Sequence, residues 1–284
     1  MVRVLLRYST ICWLEGATTA LKKNLASVSS TADAGISNRP VERSTLAAAS
    51  FSRPDSLSFR IQGADTAWAV GGGRYGVRYA GCDAYWLSQD TLYPADPDAG
   101  VKTSRHAGTL VGAPVVRSDG GGHVVATTDL NNVGVANHTR RFVAEFGEKT
   151  GADAAYVICD TSDNGAFWQM CSLEENAFTT EGNTFTLTAR NGATMKGTVL
   201  YPAGDLHFKT GTRPRGSRFL TDTNSFLHLQ SQDGSYLIVL TVAKKGVAHP
   251  AVSATGTWGR EPDGTVRIGD FSVAIQGTSV IPYP

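Results

Sequence analysis

The sequence predicts an all-β protein: a large antiparallel two-sheet β-sandwich behind a short irregular or partly helical N-terminal arm. Three observations carry that reading. Short runs rich in aromatic and β-branched residues recur from about residue 50 onward, bounded by Gly, Asp, Asn and Pro clusters. No long apolar stripe of helical period appears in the same span. The 31 glycines are scattered rather than periodic, as a fold with many tight turns requires.

In chain order, the candidate strands are 57–61, 66–70, 74–80, 123–128, 140–146, 153–159, 167–173, 183–188, 195–201, 226–231, 235–242, 266–268 and 271–275. So many antiparallel strands in one chain leave a sandwich or a barrel as the way to manage their edges, and their number favours a large sandwich. No repeat of fixed period is visible, which argues against a propeller or solenoid. Two hairpins have a definite expected register. Asp233-Gly234 suits a type I′ turn and sets Leu229 against Ile238 and Leu227 against Leu240. The turn over residues 160–165 sets Cys159 against Trp168 and Val157 against Met170. Asn191-Gly192 marks a third turn, whose simple register opposes Leu187 to Lys196, so a bulge or longer loop is expected there.

Residues 1–49 have a different texture. Residues 13–25 predict a short helix, and residues 27–50 are rich in Ser, Thr and Ala without apolar period. The expected division is therefore an arm over 1–49, a candidate remnant of a preceding domain, and one β-sandwich domain over 50–284. The start resembles a signal peptide, although Arg7 interrupts its apolar run and no small-x-small cleavage site follows Leu14. A secreted or periplasmic location is the expectation. No segment offers the ~20 apolar residues of a membrane helix.

The 26 Lys+Arg against 25 Asp+Glu argue against a nucleic-acid partner, which calls for a basic excess or stripe. Cys12, Cys82, Cys159 and Cys171 lack C-x-x-C spacing, so a zinc site is not expected. The expected hairpin offsets Cys159 from Cys171 by three residues, about 10 Å along a strand. That is beyond a disulfide's reach, so both read as buried thiols.

The most informative stretch runs from His138 to Pro202. It contains His138-Thr139-Arg140-Arg141-Phe142, then Tyr156-Val157-Ile158-Cys159-Asp160, Phe167-Trp168-Gln169-Met170, Phe185-Thr186-Leu187 and Val199-Leu200-Tyr201-Pro202. This order resembles the C-terminal β-sandwich of heparinase II/III-like polysaccharide lyases: an arginine-led strand, a strand closing on Asp, an aromatic-rich strand, an F-x-L strand and a strand ending near proline. The resemblance covers about half of the chain. It implies an enzyme that abstracts the proton α to a uronate carboxylate and eliminates the 4-linked sugar, a task needing a base, an acid and charge neutralisation. It also implies an acidic polysaccharide as partner, and a helical toroid domain or subunit carrying most of the catalytic groups. The chain departs from the family twice. Only about fifty residues precede the β-region, and 78–86, where a paired-histidine motif belongs, contains no histidine. The alternative is a non-catalytic carbohydrate-binding or structural extracellular module.

His106 follows an Asp/Pro/Gly-rich loop beside Arg105, and imidazole titrates near working pH, so it is the first acid/base candidate. The bland reading is a solvated loop histidine. His123 follows Gly120-Gly121-Gly122 and opens a strand, where a backbone can approach a ligand; otherwise it is an exposed residue at a flexible turn. Arg74 and Arg78 share one strand face opposite Tyr75 and Tyr79, and with Tyr85, Arg105 and Arg140 they are the candidate contacts to an anionic sugar. Arg140 and Arg141 point to opposite faces, so only one can join a given site, and the alternative for them is one structural ion pair and one solvated cation. Asp160, Asp163 and Asn164 offer oxygens to a structural Ca²⁺ but lack EF-hand spacing and suit a plain turn, so no cofactor is expected.

Overall fold

In the computed structural model of the chain, residues 12–15, 46–49, 57–70, 90–93, 108–130, 135–214 and 223–283 are described, and they form strands joined by turns with one 3₁₀ turn at Glu148–Thr150. The first strands are β1 (Cys12–Glu15), β2 (Leu46–Ala49), β3 (Phe59–Gly63), β4 (Thr66–Ala69), β5 (Leu92–Tyr93), β6 (Thr109–Leu110) and β7 (Val115–Val116). The middle of the chain forms β8 (Gly122–Leu130), β9 (Ala136–Glu145), β10 (Ala154–Thr161), β11 (Ala166–Leu173), β12 (Phe178–Glu181), β13 (Thr184–Thr188) and β14 (Thr194–Tyr201). The last are β15 (Phe208–Pro214), β16 (Thr223–Ser231), β17 (Tyr236–Ala243), β18 (Val252–Thr257), β19 (Asp263–Ile268), β20 (Phe271–Gln276) and β21 (Ser279–Tyr283). All-β is what the sequence pattern predicts. Residues 13–15, expected to begin a helix, instead run as strand: β1 lies parallel to β2 and antiparallel to β3.

A central sheet in the order β12-β13-β14-β17-β10-β9-β8-β6, with β7 also on β8, is covered on both faces. One face packs on β15-β16-β11-β5 and β2-β1-β3-β4, which adjoin where the Val70 N–H donates to the Cys171 carbonyl. Phe142, Tyr156, Ile238 and Leu240 of the central sheet meet Phe59, Trp68, Trp168 and Leu227 there, with Phe59 between Phe142 and Trp168 at ring-centroid distances of 5.8 and 6.1 Å. These layers are the expected two-sheet sandwich. The meander β18-β19-β20-β21 adds a third layer, burying Val143, Val157, Leu237 and Val239 against Val266, Ile268, Val273 and Ile275. Its sequence signal is that β10 and β17 are buried along their whole length, with apolar runs unbroken where a one-sided strand would alternate.

Both detailed hairpin registers are corrected. β10 pairs with β9 and β17, and β11 pairs with β5 and β16, so the turn after β10 crosses between layers. The Asp233-Gly234 turn does the same between β16 and β17. The two arches stack: Ser162 Oγ donates to the Gly234 carbonyl, and a Cβ on Gly234 would lie 2.1 Å from the Asn164 carbonyl oxygen. The apolar faces were identified correctly, but they face each other across a core instead of lying side by side, because a core closes both around hydrocarbon where a hairpin leaves one side wet. The two cysteines accordingly sit in different layers, both as free buried thiols. The expected longer loop at Asn191-Gly192 is present and sets Leu187 opposite Met195.

Candidate functional site

Arg140 on β9 lies directly opposite Asp160 on β10, and both side chains turn into the first core. The guanidinium meets the carboxylate as a two-pronged fork, Nε donating to Oδ1 at 2.7 Å and Nη2 to Oδ2 at 2.6 Å. Nη1 donates to the carbonyls of Leu57 and, at 2.8 Å, of Asp90, and the guanidinium carbon lies 5.0 Å from the centre of the Phe59 ring. His138, two residues before Arg140 and on the same face, places Nε2 3.2 Å from Asp160 Oδ1. None of the three has exposed surface.

Burial alone would raise the Asp160 carboxyl, but the charge and hydrogen bonds of Arg140, with the bond from His138, hold it below the usual carboxylate range. Burial lowers His138 against the pull of Asp160, so its imidazole is neutral. Asp90 continues the polar spine: its Oδ1 accepts the Cys171 N–H at 2.6 Å, its own N–H donates to Ser58 Oγ, and Arg60 lies 3.5 Å from Oδ2. Strands from all three sheets around the first core are thus tied at one end by charge and backbone bonds. Arg140 was expected to contact substrate. Every nitrogen of its guanidinium is occupied internally and no atom reaches solvent, so its place is in the scaffold.

His123 lies on β8 between Val115 of β7 and Val143 of β9 and is partly buried, with no partner on Nδ1 among the described residues. Burial, then the nearby Arg117 charge, lowers its pKa, because both disfavour the charged imidazolium. Arg117 is itself neutralised by Glu145, with Nη2 to Oε2 at 2.6 Å, and by Asp119. The glycines before His123 serve that packing. A Cβ on Gly121 would fall 2.2 Å from Arg117 Nη2, and one on Gly122, at φ +150°, would fall 1.9 Å from the Val115 carbonyl oxygen. The close approach they permit is to the neighbouring strand and the arginine.

Arg74, Arg78, Tyr85, Arg105 and His106 lie outside the described residues. Of the expected site residues, Arg140 and His123 can be placed, and they belong to different surroundings. The oxygen-rich turn does not converge either: Asp160 faces the core, Asp163 Oδ2 accepts from Asn137, and Asn164 Oδ1 accepts the Ala136 N–H. Sequence reasoning missed the cluster of Arg117, Asp119 and Glu145, whose signal was a charged tight turn facing an acidic strand end.

No family model matches this chain, and no curated protein does. Solved structures do. Heparan sulfate lyase HepC from Pedobacter heparinus aligns over 82% of this chain and 37% of its own, with a TM-score of 0.57 at 11% identity. A heparinase III gene product aligns over 80% and 37%, with 0.57 at 12% identity. A further heparinase III structure aligns over 80% and 36%, with 0.54 at 13% identity. The chain therefore spans little more than a third of the length of those lyases, and over that portion its layered β-architecture is theirs.

Proposed function

We propose that this chain is the β-sandwich portion of a polysaccharide-lyase-like protein that binds acidic, uronate-containing polysaccharide and takes part in its cleavage by β-elimination. The observation that carries the reading is the fold likeness to heparan sulfate lyase and heparinase III structures over some four-fifths of the chain. His123 and His106 are the acid/base candidates, and Arg74, Arg78, Tyr85 and Arg105 the contacts to the anionic sugar. A helical toroid, as a preceding domain or a separate subunit, supplies the remaining groups, and the protein works outside the cytoplasm. The second reading is a non-catalytic carbohydrate-binding module. It is favoured by the internal use of Arg140 and His138, which leaves fewer polar groups for chemistry.

The test is to incubate the purified chain with heparan sulfate and other uronate polysaccharides and follow absorbance of the unsaturated product alongside binding. Product formation supports the lyase. Binding without product both by the chain and by the chain joined to its helical toroid selects the module, and neither binding nor product removes both readings. In an active preparation, His106→Ala and His123→Ala are each expected to lower turnover by roughly 10²–10⁴-fold, the size of a general acid–base contribution, with unchanged folding. An unchanged rate excludes the histidine concerned.

A further inference from the structure

The face of the central sheet that carries the meander is not covered to its edge. Beyond β17, the side chains on that face are Thr194, Lys196 and Thr198 of β14, Thr184, Thr186 and Thr188 of β13, and Thr179 and Glu181 of β12. The alternate residues Met195, Val199, Phe185 and Leu187 go to the first core, which fixes the direction of the rest. Pairing sets them in cross-strand rows: Thr179, Thr186, Lys196 and Thr241 in one, Glu181, Thr184 and Thr198 in the next. All but Thr241 are partly or fully exposed. Strand spacing of about 4.8 Å and a two-residue step of about 6.7 Å make this a regular lattice of hydroxyls around one ammonium.

The chemistry of the rows favours a negative ligand. Lys196 has no carboxylate partner, and the hydroxyls of Thr186, Thr188 and Thr198 have no protein partner among the described residues. Glu181, on the outermost strand, is the carboxylate of these rows. A second cation stands at the rim, where the Lys245 stem lies across Gly192 so closely that a Cβ there would come 2.8 Å from its Cδ. The loop carrying Lys245 is pinned down by His249, whose Nε2 and Nδ1 lie 2.8 Å from Thr194 Oγ1 and 2.7 Å from Thr241 Oγ1. Two cations, free hydroxyl donors and one peripheral carboxylate are complementary to carboxylate or sulfate groups repeated along a flat chain.

We propose that the β12–β14 platform, with Lys196 at its centre and Lys245 at its rim, is a contact surface for an anionic polysaccharide strand. It lies on the opposite face of the central sheet from the Arg140 network. This inference rests on the functional reading above for the class of polysaccharide. It would hold the polymer to the protein away from the bond being cleaved.

The experiment measures binding of the full chain to immobilised heparan sulfate at low salt, with uncharged dextran as the comparison polymer. Lys196→Gln is expected to weaken binding about fivefold, the effect of one exposed charge contact, while Lys196→Arg retains it. Thr186→Val with Thr198→Val is expected to weaken it about threefold by removing two hydroxyls from the rows. Lys209→Gln, exposed on β15 across the first core from these rows, should leave it unchanged. Parent-like binding by Lys196→Gln, or equal binding to dextran, overturns the platform while leaving the functional reading standing. Absence of heparan sulfate binding by the parent chain overturns both.

Discussion

The two faces of the central sheet are built on different principles. The face toward β11 and β16 is an aromatic core ending in a buried network of Arg140, Asp160, His138 and Asp90. The face toward β18–β21 is a cluster of Val, Ile, Leu and Phe with Cys159 among them. Arg141 seals that second core, donating from Nε to the Gly277 carbonyl and from Nη1 to Thr161 Oγ1. The difference teaches where uniqueness comes from. Alternation of apolar residues already fixes which face each strand residue takes, and a bidentate guanidinium–carboxylate pair with its spare donors on two loop carbonyls adds a directional constraint that hydrocarbon contact lacks.

The sharpest way to break this comparison is Asp160→Asn. It leaves Arg140 buried with its charge uncompensated, and a loss of about 3–5 kcal/mol is expected from denaturant midpoints. The double replacement Arg140→Met/Asp160→Leu should recover much of that loss, because replacing a whole buried pair by apolar groups of similar size is often neutral. If Asp160→Asn costs no more than a core truncation, the network does not set the register. Leu237→Ala in the second core supplies that reference, with an expected loss of about 2–4 kcal/mol.

The next contrast is with pH. His138 has its folded pKa below the ordinary 6.5, so below that value the unfolded chain takes up a proton the folded chain refuses. Stability is therefore expected to rise with pH up to about 6.5, and His138→Gln should flatten that rise in unfolding curves taken from mildly acidic to neutral pH. Asp160, lowered in the fold, contributes stability that is full above about pH 4 and is lost as pH falls through its folded value. His123, on the second-core face of the central sheet, is lowered too and adds to the same rise. The smallest effect is kinetic. Burial pushes the Cys159 thiol up to about 12, so Cys159 in the native protein should resist alkylation at mildly basic pH, and Val273→Ala should speed its labelling by loosening the layer above it.

Legibility in the sequence followed the range of the interaction. Strand positions came from local alternation and turn residues, and most fall within two or three residues of the observed ones: 226–231 within Thr223–Ser231 and 235–242 beside Tyr236–Ala243. Pairing did not come through. An apolar face such as Leu227/Leu229 fits a neighbour beside it or a layer opposite it equally well, and only tertiary packing separates hairpin from arch. Arg140 and Arg141 do go to opposite faces, as alternation requires, but Arg141 is covered by the third layer and not solvated. Arg140 was legible as a residue of the lyase pattern and not as a partner of Asp160, because the two stand twenty residues apart in sequence. His123 was visible, while its arginine neighbour depends on the Gly121 contact that brings Arg117 across to Glu145.

The C-terminal meander has a consequence for the order in which the chain becomes safe to leave unattended. Among the described residues its strands pair only with one another, in sequence order, so it can assemble from local contacts once residues 252–283 have been made. Until then, the central sheet presents Val143, Val157, Leu237 and Val239 as an open apolar surface on its own strands. During synthesis that surface is a site for chaperones or for another nascent copy. A frameshift or proteolytic cut near residue 250 would make the exposure permanent. The meander is therefore the cap that ends the aggregation-prone stage of this protein's life.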